Sequence, residues 1–496
     1  MMAAETLKPG MPLSQLLADW ASVPIAADVR VTGIALDSRQ VRPGDVFVAC
    51  RGEQADGRAF IADALHAGAV AVLLEGEVPE TLARQNVAAV SVPDLAQQVG
   101  GIAARFYGDP SQAMNVIGVT GTNGKTSITS YVAQALGAAV GDCGVFGTLG
   151  YGRYRQLQPA ATTTPDPITL QRLLAELHAA AISNVVMEVS SHALAQGRVG
   201  GTAFDIAVFT NLSRDHLDYH ADMADYAAAK RRLFAWPGLR HALINVDDDF
   251  GRALLQEQSD AQRLAYSLED SSADLYAQIR ARDRQSMTLA VTTPWGQGEF
   301  SASLSGSFNA ANLLASLGVL CLSGVAFDTA LACLAQIQPA PGRMQSFGGD
   351  GQPLVVVDYA HTPAALAQVL AGLRADCGGE LWCVFGCGGD RDRGKRPLMA
   401  QAAEAHADRL LVTSDNPRFE SPQQIVAEIC TGLQQHRQVR VEVDRAAAIR
   451  HAIEHAAPAD TILIAGKGHE DYQDIAGVRQ PFSDSQIVQQ CLRERS

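Results

Sequence analysis

From residue 114 onward the chain repeats one alternation, a short β-branched apolar run followed by an Ala- and Leu-rich stretch with helical spacing. The runs are MNVIGVT, NVVMEVS, FDIAVFTNL and HALINVDD in the middle, then LVVVDYAH, LWCVFGCGG, RLLVTSDN and TILIAGKG near the end. Strands separated by crossover helices predict parallel sheets, an α/β fold. Nearly every unusual polar cluster falls just after one of these runs. In open α/β sheets ligands bind outside the carboxyl ends of the strands, so chemistry is expected there. The first 107 residues mix short strands such as VRVTGIALDS and DVFVAC with helices such as FIADALHAGA, an α/β or α+β unit. Gly-Asp-Pro-Ser at 108–111 marks a boundary near residue 110, and PAPGRMQ at 339–345 marks a second before a new series of strands. There is no internal repeat and no low-complexity tract.

Composition narrows the function classes. A chain of 496 residues, 47% hydrophobic and 19% charged, has room for about three domains. The net charge of -14 and the scattered arginines exclude a nucleic-acid surface, which needs a basic stripe. No window is apolar enough to span a membrane and the N-terminus lacks a signal-like pattern, so a soluble cytoplasmic protein is expected. The nine cysteines are scattered, and Cys377, Cys383 and Cys387 lack paired metal spacing, so reduced thiols are expected. Only five of the 39 basic residues are lysine: Lys8, Lys125, Lys230, Lys395 and Lys467. Where arginine is the default cation, a lysine inside a motif is less incidental.

The strongest local signal is GVTGTNGKTS at 118–127, placed between an apolar strand and the helix-like SITSYVAQALGAAV. Backbone amides of such a loop, the helix N-terminus and Lys125 can cradle phosphates, while Thr126 offers a hydroxyl to Mg²⁺. The strict phosphate-loop pattern wants glycine at 119, where this chain has Val119. Glu188 ends the strand NVVME, where a carboxylate reaches Mg²⁺ or serves as a buried structural acid. TNLSRDHLDYH packs Asp215, His216, Asp218 and His220 together, a set suited to divalent metal or to an exposed polar loop. Lys230 ends DYAAAK before RRLF; a solvated helix face is the plain reading, and the scarcity of lysine weighs against it.

Further on, INVDDD, GSFNAANLLAS, PGRMQ and DYAHTP set amide, carboxylate, guanidinium or imidazole groups beside turns, suited to a purine, a ribose or phosphates. Asn309 and Asn312 also fit helix capping. FGCGGDRDRGKRP resembles a glycine-rich dinucleotide turn, but its Asp and Arg load and the missing helix start count against that.

Taken in order, GTNGKT, TTTPDP, MEVSSH, TNLSRDHLDYH, YAAAK, GSFNAANLLA, GRMQ, DYAHTP, FGCGGDRDRGKRP, SDNPR and AGKGHEDYQ resemble the successive signatures of the Mur ligase family, from about residue 30 to 475. Within it they are similar to the branch that adds the third amino acid of the peptide. The resemblance implies three domains: 1–109 holding a uridine nucleotide, 110–342 a central phosphate-loop parallel-sheet domain binding ATP, and 343–496 a Rossmann-like domain binding the incoming amino acid. It implies ATP-driven amide formation through an acyl phosphate, joining meso-diaminopimelate to a UDP-muramoyl dipeptide for peptidoglycan.

Site residues follow from the same resemblance. Gly121, Thr122, Asn123, Gly124, Lys125 and Thr126 would hold the ATP phosphates. Thr126 and Glu188 would serve one Mg²⁺, with His216 and Lys230 helping to hold a second, Lys230 as a carbamate. Asn309, Arg343, Asp358 and His361 would contact the nucleotide. The UDP-muramoyl dipeptide would meet Leu36, Ser38, Glu53, Gln54, Ala55, Thr163 and Thr164, then Ser190, Gln196 and Arg198. Diaminopimelate would meet Arg391, Asp415, Asn416, Pro417, Arg418, Gly466 and Glu470, with Glu470 and the Asn416 side chain available to its distal ammonium. Relatives often carry asparagine where this chain has Thr162. A monomer without nucleic-acid or membrane partners is expected. The rival readings are a lysine-adding member of the branch, a folylpolyglutamate synthetase, a phosphate-loop NTPase switch and a Rossmann dehydrogenase.

Overall fold

Each apolar run of the alternating pattern forms a buried strand. The structure, a computed structural model, describes residues 10–52, 55–84, 87–349, 351–434 and 438–495. Three sheets carry the chain. The first is four-stranded and parallel, in the order Gly33–Ala35, Asp45–Ala49, Ala71–Leu74, Ala88–Ser91.

The second sheet has ten strands and is parallel through its centre. Strand Asn115–Thr120 lies between Asn184–Glu188 and Ile206–Phe209, pairing with both in parallel. The next strand in the chain after Asn115–Thr120, Cys143–Gly147, lies on the far side of Asn184–Glu188, while the later strands continue on the Ile206–Phe209 side. The winding therefore reverses at Asn115–Thr120, and a crevice opens at its carboxyl end. Three meandering strands, Leu275–Arg282, Met287–Thr293 and Gly296–Ala302, extend one edge. Helices Lys125–Ala139 and Ser307–Leu322 pack together against one face, and helix Pro167–Ala179 covers the other. Both faces being covered explains why these strands read as unbroken apolar runs rather than alternations.

The third sheet runs Gln345–Gly348, Leu354–Asp358, Thr461–Ala465, Leu381–Phe385, Arg409–Val412, Val439–Val441, parallel except for its first strand. Its last strand in sequence inserts beside its first parallel one. That insertion sets the loops after Asp358, Phe385, Val412 and Ala465 side by side. These carboxyl ends face those of the second sheet: Arg343 reaches Thr126, and Arg214 lies 3.6 Å from Asp392.

Among the described residues no helix is long and apolar enough to cross a membrane. All nine cysteines are free thiols.

Candidate active site

The phosphate loop begins where Asn115–Thr120 ends. Gly121 has φ 148°, and a Cβ there would lie 1.8 Å from Thr210 Oγ1, so the loop can pass this close to the neighbouring strand end only as glycine. Gly124, also left-handed, caps helix Lys125–Ala139 without any side-chain cap, leaving the first amides of that helix facing the crevice. Lys125 folds back over the loop and donates to Gly121 O at 2.9 Å and Thr122 O at 2.8 Å. Burial depresses its ammonium, partly opposed by Glu188 and Asp215.

Glu188 is the hub of the next strand end. Thr126 Oγ1 is 3.0 Å from each of its carboxylate oxygens. Thr148 donates through its backbone N at 2.8 Å and its hydroxyl at 3.2 Å. The guanidinium of Arg343, from the third domain, donates to Thr126 Oγ1 at 3.1 Å and stacks 4.2 Å from the centre of the Tyr359 ring.

Lys230 lies 1% exposed on helix Met223–Arg231, so the solvated-face reading of this residue is wrong. The helix turns Tyr226 and Lys230 inward together, one turn apart. Lys230 Nζ donates to Gly121 O at 2.8 Å and lies 4.3 Å from the Tyr226 ring. Burial, then the nearby Lys125 charge, push this ammonium well below the ordinary lysine range, with Asp215 opposing.

Asp215 joins two histidines. Its Oδ2 lies 3.4 Å from His216 Nε2 and 3.8 Å from His361 Nε2, so it ties the second domain to the third. His216 is held in left-handed backbone, φ 55°, a strained conformation for a residue with a Cβ. Burial lowers the His216 imidazole to about 3, against the pull of Asp215, so it is neutral near pH 7. Burial also depresses His361, whose Nδ1 sits 2.8 Å from Tyr359 O. Asp358 accepts from the backbone amides of Met344 and Ala360, each at 2.8 Å, and burial raises its carboxyl.

These groups line a cavity of about 410 Å³ that runs from Thr122–Ser127 past Thr148, Thr163, Glu188 and Ser190 to Arg343, Tyr359 and His361. A second cavity, about 350 Å³, lies under the third-domain loops, among Gly386, Arg391, Asp415, Asn416, Arg418, Gly466 and Glu470. His192, Asp215, His216, Tyr359, His361 and Arg391 line both. The two spaces are therefore neighbours across one wall.

The second cavity is rigidly built. Gly466 has φ 117°, and a Cβ on it would lie 2.5 Å from Asp415 Oδ2, so glycine alone fits between the strand end and that carboxylate. Burial pushes Asp415 up, but Lys467, Arg445 and Arg418 more than offset it and hold the carboxyl below its ordinary value. Arg418 stands in left-handed backbone, φ 50°, and its Nη1 donates to Gly389 O at 2.6 Å. Pro417 O lies only 2.0 Å from where a Gly389 side chain would begin, locking the two loops together.

Some expected residues fall elsewhere. Asn309 stands one layer behind the first cavity: its Oδ1 receives Tyr131 OH and Asn312 Nδ2, each at 3.1 Å, and its Nδ2 donates to Ser305 O. Asn312, three residues on, lines the wall instead, and neither caps the helix, whose N-cap is Gly306. Thr164 is fully buried, bonding Glu188 O and Ser190 rather than facing the cavity. Gln196 accepts from Arg198 Nε at 2.7 Å, and Arg198, which lines the cavity, also donates to Thr164 O. Leu36 packs against the N-terminal core, Ser38 starts a short 3-10 turn capped by Asp37, and Ala55 is exposed; none of them lines the two cavities. Glu53 and Gln54 lie outside the described residues.

Sequence reasoning missed Thr148, Tyr359 and Lys467, and gave Asp215 no role of its own. Tyr359 lies inside DYAHTP and Asp215 inside TNLSRDHLDYH, motifs the sequence did mark, and Lys467 carried the rarity of lysine; Thr148 carried no signal.

The order and spacing of these groups match a known family across all three domains. Residues 30–107 match the Mur ligase family catalytic domain, 119–320 the Mur ligase middle domain, and 342–468 the Mur ligase glutamate ligase domain. The chain belongs to the Mur ligase family. Mur ligase relatives cover nearly its full length. It is 52% identical over 465 residues to the UDP-N-acetylmuramoyl-L-alanyl-D-glutamate--2,6-diaminopimelate ligase of Pseudomonas aeruginosa, covering 94% of this chain and 96% of that protein. It is similar to a solved structure of a ligase of the same name, with TM-score 0.72, 37% identity, and coverage of 98% and 99% of the two chains. The Mur ligase fold extends to a MurF ligase from Thermotoga maritima in complex with ADP, at TM-score 0.62 and 18% identity, covering 93% of this chain and 98% of that one.

Proposed function

We propose that the protein is an ATP-dependent amide-forming ligase that adds meso-diaminopimelate to UDP-N-acetylmuramoyl-L-alanyl-D-glutamate, for peptidoglycan synthesis. The observation that carries the reading is the shared wall between a phosphate-loop cavity and a second cavity built around Arg391, Asp415, Asn416, Arg418 and Glu470. A ligase needs that adjacency, because the acyl phosphate made on one side must meet an amine held on the other.

Phosphoryl transfer is mostly positioning and charge stabilisation. The loop amides and Lys125 would hold the ATP phosphates, and Arg343 would add a cation from the third domain. The glutamyl carboxylate attacks the terminal phosphorus and ADP leaves. The acceptor amine then attacks the acyl carbon, and phosphate departs with the amide formed. Thr163, Ser190 and Arg198, on the cavity wall, would orient the muramoyl peptide, while Leu36, Ser38 and Ala55 would meet its uridine end in the N-terminal domain.

The donor set fits Mg²⁺. Thr126 and Glu188 supply hard oxygen donors for one ion, and among the described residues no larger His, Cys, Asp and Glu cluster encloses a metal. Mg²⁺ keeps phosphate oxygens and waters in its shell, so an incomplete protein shell suits it. A second ion would be held by neutral His216 together with Lys230 as a carbamate, for which the depressed Lys230 amine is suited. When bound, the ions supply positive charge to the transferring phosphoryl group.

The test is phosphate release by the purified protein with UDP-muramoyl dipeptide, ATP and a panel of amino acids. Release should need the dipeptide and meso-diaminopimelate together. Equal release without either substrate would overturn the ligase reading in favour of a nucleotide hydrolase.

A further inference from the structure

We infer that Lys467 is a positioning residue for the acceptor, fixing Asn416 and Glu470 so that Glu470 alone of the two meets the acceptor's distal ammonium. The inference rests on the acceptor reading above and sharpens it. Lys467 is 0% exposed, on the strand-end loop after Thr461–Ala465. Its Nζ donates to Glu470 Oε2 at 2.8 Å and to Asn416 Oδ1 at 3.0 Å, and lies 5.5 Å from the centre of the Tyr472 ring. Its charge is thus matched by a carboxylate of the pocket itself.

Arg445 provides the contrast. It is equally buried, but its counter-ion Asp484 is fully buried and lines neither cavity, and its remaining bonds go to the backbone oxygens of Ser414 and Ala465. Arg445 therefore braces the strand ends behind the pocket. Lys467 braces the pocket.

The consequence is a fixed amide. Asn416 Oδ1 accepts from Lys467 Nζ and from the backbone amide of Asp474, both at 3.0 Å, while its Nδ2 donates to Glu470 Oε2 at 2.8 Å. An amide oxygen has two lone pairs, and both are engaged. The Asn416 side chain is then closed to a substrate ammonium, contrary to the expectation from sequence. Glu470 keeps its second carboxylate oxygen for that role. Arginine could not replace Lys467, because its broad planar fork does not fit a point between two acceptors in a closed space.

The experiment is a double-mutant cycle on the full-length protein with Lys467→Met and Glu470→Gln, measuring KM for meso-diaminopimelate, ATP and UDP-muramoyl dipeptide. Lys467→Met should raise the diaminopimelate KM by about 10- to 100-fold, the range for losing a hydrogen bond to a charged group. The other two KM values should stay within about two-fold. Added to Glu470→Gln, Lys467→Met should change the diaminopimelate KM little further, because it acts through Glu470. An unchanged diaminopimelate KM, an equal rise for all three substrates, or full additivity in the cycle would overturn the proposal. Should Lys467→Met alone fail to fold, Lys467→Gln takes its place in the same cycle, with the same expected and overturning outcomes. A wild-type protein that does not use diaminopimelate at all would instead sink the acceptor reading.

Discussion

Lys125 and Lys230 converge on one atom: both ammonium nitrogens donate to the carbonyl oxygen of Gly121, at 2.9 and 2.8 Å. Two buried cations sharing an acceptor repel each other, and the Lys125 charge adds to burial in depressing the Lys230 ammonium. Glu188 and Asp215 oppose the depression of Lys125 by burial, while Lys230 is pushed well below the ordinary lysine range.

Lys125→Ala should abolish turnover while leaving the affinity for the UDP-linked substrate nearly unchanged, because the proposed uridine site lies in a different domain. Isothermal titration of UDP-muramoyl dipeptide into the variant checks this. A parallel loss of that affinity would contradict the division of labour between domains.

Lys230→Ala should be inactive and partly rescued by added short carboxylic acids, which can fill the space of a carbamate. A neutral amine takes up CO₂, so wild-type activity should also fall after prolonged CO₂ removal and return with bicarbonate. Full activity of Lys230→Ala would refute the carbamate assignment.

Arg418→Ala should lose most activity with meso-diaminopimelate while its activity with lysine changes little. A guanidinium grips a carboxylate with two parallel bonds, and a site built for that contact rejects the analogue lacking it by about 10⁴-fold or more. The measurement is kcat/KM for both amino acids in both proteins. An unchanged ratio would remove the physical basis for acceptor selection by Arg418.

Glu420 ties the Arg418 loop to the neighbouring one. It bonds the buried Arg396, and accepts from the amide of Asp390 at 2.6 Å. The Arg396 hydrogen bonds hold its carboxyl at about 2, below the ordinary value of 4.5. A depressed carboxylate stabilises the fold above its unfolded value, and that contribution is lost as pH falls from about 4.5 towards 2. Glu420→Gln should therefore be less stable at pH 7, by about 1–3 kcal/mol, and lose less on acidification than the wild type. Urea midpoints at pH 7, 4 and 3 test it; parallel acid slopes would show that Glu420 does not carry this linkage.

The sequence by itself determined the strands and the positions of chemistry along them. Runs such as NVIGVT and LVVVD are apolar on both faces, and a strand buried on both sides must be written that way. The polar residues that follow each run, among them Lys125, Glu188, His216, Asp358 and Asn416, then fall at carboxyl ends by topology alone. Local pattern could not decide which of these polar groups reach the cavity. Asn309 and Asn312 look alike in sequence, yet helix rotation puts Asn312 in the wall and Asn309 behind it. By the pattern of its own helix alone Lys230 reads as a surface residue, and the packing of that helix buries it against Gly121, from a position more than a hundred residues away. Asp215 acquires its role only when the third domain brings His361 to it, and Lys467 only when Asn416 and Glu470 close around it. Hydrophobic periodicity reports a residue's burial relative to its own element. Hydrogen bonding across elements depends on how the three sheets are set against one another, and only the tertiary structure decides that.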